Sequence, residues 1–259
     1  PATLGVTNAA VLGANVAIIG FSGGFLTTGN NLNNYAAAVS PFATSFVAFA
    51  FALSSTLLVL GLSRLHSFRP ATLILAGIGL GAIYSAATTL LQYFATDIGL
   101  SAAVIWSFGD LGRATYLTDW IMLGAVAIGF ALFYALSWKF NAILSGEEVA
   151  SSVGVKVRLI RFISLALASL ITACIVSFLG IIGFVGIIAP HVAKRILGQN
   201  HRKSLPFSFL LGALLVLGSD TLIRAISGGT NFPIGAITSL LGAPFFLYLV
   251  FFGKGGKDA

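Results

Sequence analysis

Gly180-Ile181-Ile182-Gly183-Phe184-Val185-Gly186-Ile187-Ile188-Ala189-Pro190-His191 is the second half of an uncharged run from Phe162 to Ala193. A helix needs about 20 apolar residues to cross the hydrocarbon core, so the run is too long for one crossing and too short for two. Gly180, Gly183, Gly186 and Pro190 interrupt its second half, which predicts a short, broken helix over Ile187 to Leu197. Irregular backbone at membrane depth is tolerated only inside protein or beside a water-filled cavity. The run therefore predicts a helical bundle with a polar path through it.

The rest of the chain supports a membrane setting. Charged residues make up 8% of the 259 and hydrophobic ones 58%, with a mean hydropathy of +1.01, whereas a soluble domain is about 25% charged. A soluble enzyme and a disordered regulator are excluded. So is a disulfide scaffold, because Cys174 is the only cysteine. The net charge of +7 reflects loops beside a bilayer and not nucleic-acid binding. No charge occurs from Pro1 to Ser63, and further uncharged runs cover Pro70 to Thr96, Trp120 to Trp138, Ser204 to Ser219 and Ala225 to Gly253. Spans are expected near 5–26, 42–63, 70–95, 118–137, 159–179, 205–224 and 234–252. The polar segment from Thr27 to Pro41 is a loop between the first two.

Alternating these spans puts every lysine and arginine except Arg113 and Arg224 on one side, which the positive-inside rule makes the cytoplasm. Trp120 and Trp138 are spaced either for the two interfacial belts of one span or as unrelated core residues. The apolar start without Met or leader reads as an N-terminally incomplete chain lacking an even number of spans.

Catalytic chemistry is not in evidence. His66, His191 and His201 do not cluster with Cys174 as metal ligands. No G-x-S-x-G occurs, and Gly253-Lys254-Gly255 lacks the rest of a phosphate loop. Only Asp220 among the acids falls in a span, four residues before Arg224, a spacing that suits a local ion pair. Coupling to an energy source then falls to a polar segment between spans, 140–155. There Ser145 can cap a helix, Glu147 and Glu148 sit in its first turn where the macrodipole favours acids, and Gly154 can end it. Such a helix is a docking element or a connector. On the span from Pro70, Gly77, Gly81, Ser85 and Thr88 or Thr89 recur at three- and four-residue spacing. Their face serves close helix packing or a path.

These motifs resemble one family. Gly146-Glu147 with Ala150 and Gly154 is similar to the L-G-E-x-x-A-x-x-L-G segment of FecCD-type permeases, the iron-siderophore and vitamin B12 permeases of ABC importers. The Gly180 to His191 stretch resembles the family's G-x-I-G-F-V-G-L-I-x-P-H. Leu75 to Leu80, Trp106-Ser107-Phe108-Gly109, Asp220 with Arg224, Pro233 to Thr238 and Gly242-Ala243-Pro244-Phe245 also match, in order along nearly the whole chain. Ser145 replaces the family's usual Leu, Glu148 adds an acid, and Lys194 stands where Arg is common.

The resemblance implies an all-α, polytopic type II ABC importer permease in the inner membrane, with about eight of ten spans present in a single domain. Its implied partners are a cytoplasmic ATPase dimer, an extracytoplasmic substrate-binding protein and a second permease subunit. No cofactor is implied, and ATP hydrolysis would belong to the separate subunit. It implies ATPase coupling at Ser145, Gly146, Glu147, Glu148, Ala150 and Gly154, and a translocation path at Gly77, Gly81, Ser85, Thr88 and Gln92. Gly180, Gly183, Gly186, Pro190 and His191 would form the broken-helix motif. Arg224, with Arg113, would dock the binding protein. The rival readings are an ion-coupled secondary transporter or channel without an ATPase, and a membrane scaffold. The cargo implied is a ferric siderophore, with haem and cobalamin behind it.

Overall fold

The computed structural model describes residues 4–21, 41–65, 70–227 and 233–252. The expected loop from Thr27 to Ser40, His66, Arg69 and Gly253 to Lys257 lie outside them. The described chain is all-helical. Its helices are α1 (Val6–Asn15), α2 (Pro41–Leu65), α3 (Pro70–Tyr93), α4 (Asp97–Ser107), α5 (Tyr116–Ala135), α6 (Ser137–Leu144), α7 (Glu147–Ser152), α8 (Val157–Leu179), α9 (Val185–Leu197), α10 (His201–Ser227) and α11 (Ile234–Phe252). A π-helical turn, Val16–Phe21, continues α1. Among the described residues five helices are long and apolar enough to cross a membrane, and Val6–Phe21, Asp97–Ser107 and Ile234–Tyr248 are shorter apolar ones.

Most of these lie where the uncharged runs place them, because a long apolar run has only one way to satisfy its backbone in lipid. Two boundaries differ. α4 is a helix that the charge pattern does not suggest. It starts where Thr96 Oγ1 accepts from Gly99 N at 3.1 Å, with Asp97 in its first turn. α5 ends at Leu136, so Trp138 stands on α6, and Trp120 and Trp138 do not share one helix although both rings are exposed.

α1 is the buried centre of the first half, packed on α2, α3 and α8. Its Val6, Ala10, Ala14, Ile18 and Ile19 meet Ala48 and Ala52 of α2 and Ala173 and Val176 of α8. Small residues set these distances: a Cβ on Gly13 would lie 2.8 Å from Val47 O, so α1 and α2 cross almost backbone to backbone. In the second half α9 packs on α10 and α11, and α6 reaches back to α10. Large apolar side chains such as Leu75, Leu90, Leu123, Ile128, Leu214 and Leu240 lie exposed on the outer helix faces, as suits contact with lipid.

Candidate functional site

Three of the sequence motifs meet at one junction. Asp110 N donates to Leu179 O at 2.8 Å, Ile234 N to Gly109 O at 3.1 Å and Gly235 N to Phe108 O at 3.1 Å. The ends of α4 and α8 and the start of α11 are thus knitted by backbone alone. Gly109 takes φ +73°, and a Cβ on it would run into the Ile181 carbonyl; one on Gly180 would lie 2.6 Å from Trp106 O. Only glycine fits such an approach. The Gly180 to Phe184 break is therefore a packed crossing.

Beyond it Phe184 takes φ 62°, a left-handed conformation costly for a bulky residue. Its carbonyl accepts from Ile187 N and Ile188 N, starting α9, and its side chain abuts Gly242 on α11. Gly183 faces Ser239. Gly186 and Pro190 do not interrupt the helix as the sequence reading expects; both lie inside α9. Pro190, lacking an N–H, leaves the Gly186 carbonyl without its usual donor. His191 is exposed, its ring 5.7 Å from that of Phe246.

The 140–155 segment is two short helices. Ser145 is the C-cap of α6, and Gly146 precedes α7 with no side-chain cap, which corrects the expected capping by Ser145. Gly154, at φ +80°, closes α7 in a Schellman motif: Val155 N donates to Ala150 O at 2.9 Å and Gly154 N to Ser151 O at 3.0 Å. Glu147 pairs with Arg161 of α8. Ala150 is fully buried, packed with Val155, Val157 and Ile160, so it faces this chain's own core and is not an outward contact. Outward lie Leu144, Val149 and Val153, each half or more exposed, beside exposed Ser145, Gly146 and Glu148. Leu144 and Val153 are the residues that the sequence reading misses. An apolar side chain left bare outside any span was the available signal.

On α3 the row divides. Gly77, Gly81 and Thr88 are buried, Gln92 is half-buried and Ser85 is exposed. Gly77, Gly81, half-buried Tyr84 and Thr88 step close to 3.6 residues per turn, whereas 77, 81, 85 drifts off the face. Asn8 Nδ2 donates to Gly81 O at 3.1 Å, and a Cβ on Gly5 would lie 2.9 Å from Gly77 O. Gly77 and Gly81 are thus a close contact with α1 and do not line an opening of this chain.

The two cations of the opposite end also part company. Arg113 Nη1 and Nη2 donate to Trp106 O at 3.0 Å and Ile105 O at 2.7 Å, neutralising the carbonyl end of α4. Burial holds this guanidinium below the usual arginine range, although Asp110 pulls the other way. Arg113, expected with Arg224 to dock a binding protein, is thus engaged by its own chain's helix end. Arg224 Nε pairs with Asp220 Oδ2 at 2.8 Å while its side chain stays 62% exposed.

Apolar spans, a knitted helix break and a protruding polar segment together define a multi-pass membrane permease. Residues 1–252 match the FecCD transport family, and the chain belongs to it. It is 41% identical over 251 residues to a protein of Methanocaldococcus jannaschii named as an ABC transporter permease, covering 96% of this chain and 70% of that one. It is 38% identical to the cobalamin import system permease protein of Halobacterium salinarum, over 78% of this chain and 54% of the relative. Against the Fe(3+)-citrate import system permease protein of Bacillus subtilis, identity is 35% over 80% of this chain and 62% of the relative. A solved metal-chelate type ABC transporter in an inward-facing conformation superposes with a TM-score of 0.82 at 28% identity, over 97% of this chain and 76% of that one.

Proposed function

We propose that the chain is the permease subunit of an ATP-driven inner-membrane importer, carrying a metal chelate with ferric siderophore as the first candidate cargo. The basic end faces the cytoplasm. Two copies, or this chain and a paralogue, enclose the path, with exposed Ser85 toward it and Gly77, Gly81, Thr88 and Gln92 bracing α3 from behind. ATP is hydrolysed on a separate cytoplasmic ATPase dimer, and an extracytoplasmic binding protein delivers the cargo to the face bearing Arg224.

The observation that carries this reading is the α6–α7 tip. Leu144, Val149 and Val153 present bare apolar surface outside the spans, on a segment fixed to α8 through the Glu147–Arg161 pair and buried Ala150. A surface that is apolar, exposed and rigid is suited to seat in a cleft on a partner. The relatives named for cobalamin and ferric citrate import point to bulky chelates. The test is reconstitution in liposomes with the ATPase and binding protein. ATP-dependent uptake of a radiolabelled ferric siderophore is expected. Uptake by the permease alone under an ion gradient would overturn the assignment.

A further inference from the structure

α6 is joined to the start of α10 by a polar knot that the function above does not use. His201 N donates to Asn141 Oδ1 at 2.8 Å, and His201 Nδ1 lies 3.0 Å from the same oxygen, a contact that assigns the ring proton to Nδ1. Asn141 Nδ2 donates to Asn200 Oδ1 at 3.0 Å, and that oxygen also accepts from Arg202 N at 3.1 Å. The Phe140 and His201 rings stand 5.7 Å apart. Asn200 is the ordinary cap of its own helix. Asn141, 59 residues earlier, caps the same helix from a different element.

The need for two caps is physical. The first turn of α10 contains Arg202 and Lys203 and no acid, the wrong charge for the positive end of a helix dipole. Pro206 lies inside the helix, where it withholds the donor that the Arg202 carbonyl would use and loosens the first turn from the rest. Without a clamp this turn is the weakest part of a helix about 40 Å long. The other end of that helix carries the Asp220–Arg224 pair.

We infer that Asn141 is a positioning residue through which movement of the α6–α7 segment is passed to α10, and along α10 to the face bearing Arg224. This rests on the reading of α6–α7 as the ATPase seat. Asn141 itself lies outside the exposed tip and touches α10. The tip and the latch are then separable: one holds the ATPase, the other transmits its stroke.

The experiment uses the whole importer (permease, ATPase and binding protein) in nanodiscs and liposomes. Asn141→Leu removes both hydrogen-bonding functions. Asn141→Asp keeps the oxygen that accepts from His201. For the leucine variant, co-purification of the ATPase and unstimulated ATP hydrolysis are expected within twofold of the parent. Stimulation by loaded binding protein, and uptake, are expected to fall at least tenfold, with the aspartate variant recovering more than half. Normal stimulation and uptake in Asn141→Leu would overturn the inference. So would loss of assembly in both variants, which would make Asn141 a folding residue. Val149→Arg, measured in parallel, reports on the seat alone: if it still binds the ATPase, the seat assignment fails whatever Asn141 does.

Discussion

Gln92 Nε2 donates to Asn15 Oδ1 at 3.0 Å, tying α3 to α1 across 77 residues of chain. Asn15 is fully buried and spends its own Nδ2 on Val11 O at 2.8 Å. An interhelical amide bond of this kind contributes on the order of 1 kcal/mol, and stranding one partner costs about 1–3 kcal/mol. Asn15→Leu should therefore lower the melting temperature in detergent. The double change Asn15→Leu with Gln92→Leu should melt higher than Asn15→Leu alone, because no amide is left unpaired. Equal melting of the single and double variants would show that the bond contributes nothing.

Val149 and Ala150 are neighbours with opposite fates. Ala150→Arg forces a charge into the Val155, Val157 and Ile160 cluster and should cost about 3 kcal/mol or more, read as lost expression and rapid proteolysis between α6 and α8. Val149→Arg, on the exposed side, should leave the permease folded and abolish co-purification with the ATPase. Normal yield and stability of Ala150→Arg would contradict the buried placement.

Gly109→Ala puts a Cβ against the Ile181 carbonyl at a φ that L residues rarely adopt. A loss of about 1–3 kcal/mol is expected, seen as earlier unfolding and faster amide exchange at Asp110, Ile234 and Gly235 together. Exchange changed at Gly109 alone would mean that the three segments are not one unit.

Arg113 and Arg224 should respond differently to removal. Arg113→Ala strips the end of α4 of two donors and should lower the melting temperature. Arg224→Glu should leave melting almost unchanged while weakening binding-protein association in a way that salt screens. A charge-reversed partner carboxylate should restore the affinity; if Arg224→Glu binds as well as the parent, the docking role is lost.

The long spans were legible because twenty uncharged apolar residues leave the backbone no alternative to a helix. α4 was not, since its 11 residues are too few for that argument and only the Thr96–Asp97 cap marks it. The helix end at Gly154 could be read from residue type, but the direction of Ala150 could not, because Val149 and Ala150 are both small and apolar. The α3 row was read one position off, through Ser85, since glycine, serine and threonine look equivalent until a neighbour selects the face. The junction at Gly109, Gly180 and Gly235 was visible as three separate motifs. Their meeting was not, because carbonyls and amides make the contact and no side chain records it.

The shortness of α4 and α9 bears on how the protein is made. At 11 and 13 residues they reach about 16 and 20 Å, against a hydrocarbon layer of about 30 Å. Neither can be handed to lipid singly as it leaves the ribosome, since each would arrive with bare amides and carbonyls at its ends. The segment that ends α4 is held by the Leu179 carbonyl of α8, by the Ile234 and Gly235 amides at the start of α11 and by Arg113. Completion of this junction must therefore wait for the synthesis of α11. The segment that breaks the bundle is set only after the full-length spans are in the bilayer, which makes biogenesis a two-stage process with a late, protein-internal step.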